Sequence, residues 1–173
     1  MPTIGVSLAV PEPWGGRLQE FRVVNGDPSG ATIPTHVTLV PPVEVDQPRL
    51  LDVERHLAEV AATSPSYRIH LRGSGTFRPV SPVVFVNLVE GISQTEQLAK
   101  NCRRGPLALE LDFPYHPHVT VAHHVDDALL DRAFDELTGF DCAFGVEAFH
   151  LYVHDPVHGW KATRDFALSG DPG

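Results

Sequence analysis

One four-residue pattern occurs twice in the chain, and its repetition constrains the fold more than any other feature. His36-Val37-Thr38-Leu39 and His118-Val119-Thr120-Val121 carry the same residue types in the same order, 82 residues apart in a chain of 173. In a β-strand, side chains alternate between faces. Each histidine therefore points the same way as its threonine, while the valine between them and the apolar residue that follows point into a core. A solitary His-x-Thr is ordinary strand patterning, but two copies at about half the chain length indicate a duplicated unit. Two such units facing each other bring two imidazoles and two hydroxyls into one cleft.

The rest of the chain reads as a frame for these two strands. Residues 3–10 are an apolar run that predicts a buried strand. Pro11 and Pro13 suit a first helical turn, and Leu18, Phe21 and Val24 give apolar positions at helical spacing over 11–24. A loop rich in Gly, Pro, Asp and Ser at 25–34 leads to the first motif strand, 35–40, which Pro41-Pro42 should stop. Residues 47–62 predict a helix with Leu50, Leu51, Val53, Leu57 and Val60 on its apolar side. Residues 66–71 alternate as a half-exposed strand. Residues 73–82, which contain Phe77 and Arg78, read as a turn or bulged connection before an apolar strand at 82–89.

The second half repeats the plan, with 83–89 paralleling 4–10. Ser93 and Glu96 suggest a capping box for a helix at 95–104, which Gly105 ends. After the second motif, Asp126 opens a helix through Leu137. Residues 144–154 alternate like one strand, and 160–168 form the last. These elements predict a single α+β domain over 1–173 with two lobes. Two mostly antiparallel sheets line a central cleft, with the helices on the outer faces.

Charge and cysteine content narrow the function. A formal net charge of −9 argues against a broad basic face for duplex nucleic acid, though not against a small phosphate ligand held by a few local cations. Cys102 and Cys142, far apart, suggest a reduced protein rather than a disulfide scaffold or zinc knuckle. The N-terminal run lacks basic residues and stops at Pro11, so it reads as a strand rather than a signal peptide. No run approaches the length of a membrane span. A cytoplasmic monomer is the expectation.

Pro117-His118-Val119-Thr120-Val121-Ala122 and His36-Val37-Thr38-Leu39 resemble the two motifs of the two-histidine (2H) phosphoesterase superfamily. The nearer resemblance is to its 2′-5′ RNA ligase and RNA 2′,3′-cyclic phosphodiesterase (LigT-like) family. The resemblance implies a bilobal fold with a pseudo-twofold axis, both motifs in the cleft, and no need for metal or other cofactor. It implies opening of 2′,3′-cyclic phosphates, or cleavage or joining of 2′-5′ linkages, in RNA ends or small nucleotides. It also implies that His118 is the base toward water and His36 the acid toward the leaving oxygen. The neutral segment Ala31-Thr32-Ile33-Pro34-Thr35 lacks the basic character that many RNA-acting members have beside the first motif.

The chemistry of the residues fits that expectation. Displacement at phosphorus needs a base for the attacking oxygen and an acid for the leaving one, and histidine titrates near neutrality. The Thr38 and Thr120 hydroxyls can donate to the non-bridging oxygens as charge builds on them. For a phosphate held between them, the two imidazoles should lie roughly 5–8 Å apart. Tyr115, Phe77 and Trp160 are candidates to stack on a base, against the favoured reading of core or rim packing, and Arg78 and Lys161, whose segments flank cleft strands, are candidates to pair with the phosphate, against the favoured reading of solvated surface. His116, His123 and His124 beside His118 suggest a metal cluster, but Pro117 interrupts them and no Cys or carboxylate set accompanies them. No metal ligand is assigned. His56, His70, His150, His154 and His158 fall on exposed faces or turns. A non-catalytic module that binds a nucleotide or an RNA end on the same fold is the alternative to the enzyme.

Overall fold

The computed structural model describes residues 1–172. The chain runs β1 (Thr3–Ala9), α1 (Trp14–Val24), β2 (His36–Glu44), a 3-10 turn (Gln47–Arg49), α2 (Leu50–Thr63), β3 (Tyr67–Thr76) and β4 (Val83–Glu90). It continues through α3 (Ile92–Cys102), a second 3-10 turn (Gly105–Leu107), β5 (His118–His123), α4 (Asp127–Glu136), β6 (Asp141–Val146), β7 (Ala148–Asp155) and β8 (Gly159–Ala167). Two four-stranded sheets result, ordered β2-β1-β7-β8 and β5-β4-β3-β6. Every pairing is antiparallel.

The two orders correspond strand for strand, with β1 matching β4 and β2 matching β5. The pseudo-twofold plan therefore holds, but not as two separate halves. β3, from the first half, pairs in the second sheet, and the C-terminal hairpin β7-β8 returns to the first. One face of each sheet is apolar: Ile4, Val6, Leu8, Val37, Leu39, Phe149 and Leu151 on the first, and Val84, Val86, Val119 and Val121 on the second, are at most 1% exposed. The helices cover these faces, α2 and α3 packing on β8 and β2, and α1 and α4 on strands of the second sheet.

Five sequence expectations need correction. Pro41-Pro42 does not stop the first motif strand, because both prolines fall in a register shift on an edge strand: Val40 is opposite Val6 and Val43 opposite Ile4, so the two residues between them face one, and the ladder is already interrupted where their N–H groups are missing. Gly73 does not end β3; at φ +71° it sits in a register shift between Leu71 and Ser74, and the strand continues to Thr76. Helix α3 is not opened by a Ser93/Glu96 box. It starts from Gly91 at φ +87°, where a Cβ would lie 2.5 Å from the Arg68 carbonyl oxygen, and the Thr95 hydroxyl donates to the Gly91 carbonyl. On α1, Val24 is exposed and Arg22 is buried.

The fifth correction concerns residues 144–154, which are two strands in different sheets. Cys142, Phe144 and Val146 are buried at even positions, then Phe149 and Leu151 at odd ones. That change of parity at Glu147 is where the chain crosses between sheets. The expected Asp126 cap is present, its carboxylate accepting from the Leu129 N–H at 3.0 Å.

Candidate active site

The motif strands β2 and β5 are the edges of their sheets, and they meet across the pseudo-twofold axis. Edge strands present unpaired backbone groups, which here are covered from the opposite half of the molecule. The Tyr115 hydroxyl donates to the Thr38 carbonyl at 2.6 Å, and the Arg103 guanidinium donates to the Leu39 carbonyl at 3.0 Å while stacking over the Tyr115 ring. On the other side, Asp27 accepts the His123 N–H on β5 at 3.1 Å. Asp27 is itself held by Arg22 at 2.8 Å, a pair with side chains only 0% and 5% exposed. Sequence reasoning did not find these clamps. Arg22 falls one turn after Leu18 on the inward face of α1, but its burial makes sense only once Asp27 is placed beside it.

The two histidines are oriented identically. His36 Nδ1 bonds the Pro34 carbonyl at 2.7 Å, and His118 Nδ1 bonds the His116 carbonyl at 2.6 Å. A carbonyl only accepts, so Nδ1 carries the proton in both rings and Nε2 is left for the cleft. Burial lowers the pKa of His36, opposed by its bond to Pro34 and helped by the Arg22 charge. Burial likewise pushes His118 down to about 4, the bond to His116 opposing and the charges of His116 and His36 helping. Both rings are thus neutral in the free protein at neutral pH, each with an acceptor nitrogen ready for a proton.

The surroundings of the two motifs differ. Phe77 and Phe85 pack edge-on or tilted against His118, their centroids 4.9 and 5.2 Å from its ring. On the His36 side there is a cavity of about 160 Å³ of water-accessible space, where a single water needs about 15 Å³. Its floor includes Ser7, Thr38, Tyr152 and Trp160, and Ile33 and Pro34 close over it. That roof is fixed where the Trp160 N–H donates to the Thr32 carbonyl, next to Gly159 at φ +78°, where a Cβ would meet Thr32 at 2.5 Å.

Among the sequence candidates, Phe77 thus lies against His118. Tyr115 is half-buried with its hydroxyl engaged by the main chain of β2, and burial raises its pKa. The Arg78 guanidinium is bound to Asp131 at 2.8 Å and to the Thr76 hydroxyl. His123 and His124 stack on each other, with centroids 3.7 Å apart. Among the described residues, no three His, Cys, Asp or Glu side chains converge as metal ligands. No helix among them is long and apolar enough to cross a membrane.

Two sheets that present a histidine and a threonine apiece on facing edge strands define the architecture of a 2H phosphoesterase. Comparison with known proteins leads to the same class. The sequence profile of the 2′-5′ RNA ligase superfamily matches residues 10–158. A phosphoesterase-named protein of Bacillus cytotoxicus is 27% identical over 146 residues, 82% of this chain and 83% of its own. One from Geobacillus kaustophilus is 27% identical over 142 residues, 81% and 82% of the two chains. Among solved structures, Escherichia coli LigT in complex with 3′-AMP superposes with a TM-score of 0.66 at 21% identity, over 98% of this chain and 99% of its own. A Thermus thermophilus protein superposes with a TM-score of 0.68 at 21% identity, over 99% and 100%. The chain belongs to the 2′-5′ RNA ligase superfamily.

Proposed function

We propose that this protein is a metal-independent phosphodiesterase that opens 2′,3′-cyclic phosphates or cleaves 2′-5′ phosphodiesters of small nucleotides and RNA ends. The observation that carries this reading is the matched pair of imidazoles, each tied through Nδ1 to a carbonyl two residues earlier, each offering Nε2 to the cleft. The phosphate sits between them, with the Thr38 and Thr120 hydroxyls donating to its non-bridging oxygens. Its negative charge offsets the burial that keeps the rings neutral, so one imidazole is protonated when substrate is bound.

His118 Nε2 takes a proton from water, the water oxygen bonds to phosphorus, and the bond to the ribose oxygen breaks as His36 Nε2 delivers its proton there. The lopsided cleft supports this division of roles. The cavity lies on the His36 side, so the nucleoside and its leaving oxygen fit there, while Phe77 and Phe85 pack against the His118 ring on the side assigned to water. LigT has been solved with 3′-AMP and with ATP, and small nucleotides fit the same reading here. The protein would act as a monomer in a reducing cytoplasm, where Cys102 and Cys142, both free and buried, remain thiols.

A panel of 2′,3′-cyclic mononucleotides, 2′-5′ dinucleotides and cyclic-phosphate RNA ends tests the reading. Turnover of at least one class, surviving exhaustive chelation with EDTA, is the expected result. Inactivity on all three, or activity that EDTA abolishes and zinc restores, would refute it.

A further inference from the structure

The two halves of the cleft are not equivalent one strand in from the motifs. In the second sheet, Thr120 is opposite Phe85, and Phe85 is opposite Gly75. The Phe85 ring lies over that glycine, where a Cβ would come within 2.6 Å of it. The corresponding row of the first sheet is polar throughout: Thr38 is opposite Ser7, Ser7 opposite His150, and His150 opposite Asp165. Residues opposite one another project to the same side of a sheet, and neighbouring strands are about 4.8 Å apart. Val6, Leu8, Phe149, Leu151 and Phe166 take the core side, so this row faces the cleft, starting at a motif threonine and running away from it.

The row is built for hydrogen bonding. The Ser7 side chain lines the cavity with His36 and Thr38, although the residue is only 7% exposed, and no protein group bonds its hydroxyl among the described residues. His150 Nδ1 donates to the Asp165 carboxylate at 2.7 Å, which fixes the ring and leaves Nε2 as an acceptor. A nearly buried hydroxyl beside an oriented acceptor, next to the phosphate site, calls for a group that both donates and accepts. A hydroxyl does both.

We infer that Ser7 and His150, the latter positioned by Asp165, bind a free hydroxyl on the sugar that carries the scissile phosphate. The row makes the enzyme favour a nucleotide whose sugar keeps that hydroxyl over the counterpart that lacks it. This inference rests on the phosphodiesterase reading of the same cleft and adds what selects its substrate. On a nucleoside 2′,3′-cyclic phosphate, the 5′-hydroxyl is the one the ester leaves free.

The test compares adenosine 2′,3′-cyclic phosphate with its 5′-deoxy counterpart in the wild type, Ser7→Ala, His150→Phe and Asp165→Asn, each checked for native melting by circular dichroism. The wild type should favour the hydroxylated substrate in kcat/KM by about tenfold or more, since the deoxy analogue leaves the nearly buried Ser7 hydroxyl unpaired. Ser7→Ala and His150→Phe should bring the ratio close to one by losing rate only on the hydroxylated substrate. Asp165→Asn should lower the ratio through KM. A wild-type ratio near one, or an unchanged ratio in both Ser7→Ala and His150→Phe, overturns the inference. If neither substrate is turned over, the phosphodiesterase reading has failed. Calorimetric titration with adenosine 2′-phosphate and its 5′-deoxy analogue then decides the row's role, and equal binding of the two, or none of either, overturns it.

Discussion

At the scale of single residues, the proposed mechanism has two imidazoles share one phosphate. Because they act as a unit, His36→Ala and His118→Ala should each remove most activity, and the double variant should be little worse than either. Thr38→Val and Thr120→Val should each cost about 3 kcal/mol in kcat/KM, the loss of one donor to the developing charge. A substrate with an activated leaving group, which needs no protonation, should partly restore His36→Ala and not His118→Ala. Steady-state kinetics of the four single variants and the double variant check these outcomes, and equal restoration of both histidine variants would defeat the assignment of acid and base.

Burial of His118 also links stability to pH. The unfolded chain takes up a proton near 6.5 that the folded chain refuses until about 4. Between those values the unfolded state binds more protons, so stability should fall as pH drops through that window and level off above it. Urea unfolding across the window should show this slope, and His118→Gln should flatten it.

At the scale of elements, the edges of β2 and β5 depend on side chains from the opposite half. Asp27 joins the loop ahead of the first motif to the strand of the second, and among the described residues its charge partner is buried Arg22. Asp27→Ala leaves that guanidinium uncompensated, which should destabilise the protein by about 3–5 kcal/mol. Replacing Arg22 and Asp27 together with Met and Leu should cost clearly less than Asp27→Ala alone. Chemical denaturation of the three proteins decides this, and a loss under 1 kcal/mol for Asp27→Ala, far below the ~3 expected for an unpaired buried charge, would show that Arg22 finds water instead.

At the scale of the whole molecule, the exchange of strands joins the two halves of the sequence. The first sheet needs β7 and β8 from the C-terminal end, and the second needs β3 from the first half. A fragment of residues 1–90 would keep β2 beside β1 but lack β7, the neighbour on its other side, and leave β3 and β4 without β6 and β5. Calorimetric and circular dichroism transitions of the full chain should therefore coincide in one step, and the fragment should show no cooperative transition. Two separated transitions would mean that the lobes fold on their own.

The motif strands, the class of the fold and the Asp126 cap were legible in the sequence, because each rests on a local signal. Alternation sets which face His36, Thr38, His118 and Thr120 share, and a carboxylate three residues before an N–H can cap a helix wherever the chain lies. The parity change at Glu147 was also there to be read, but both of its sides alternate equally well, so it passed as one strand. Only the tertiary structure decided which sheet β3, β7 and β8 join, because pairing across the molecule leaves no mark on local periodicity. It alone decided that Pro41-Pro42 lie on a tolerant edge, that Arg22 is buried against Asp27, and that Tyr115 braces β2. The row from Thr38 to Asp165 is the clearest case. Its members come from four strands spread over almost the whole chain, and only strand register places them side by side.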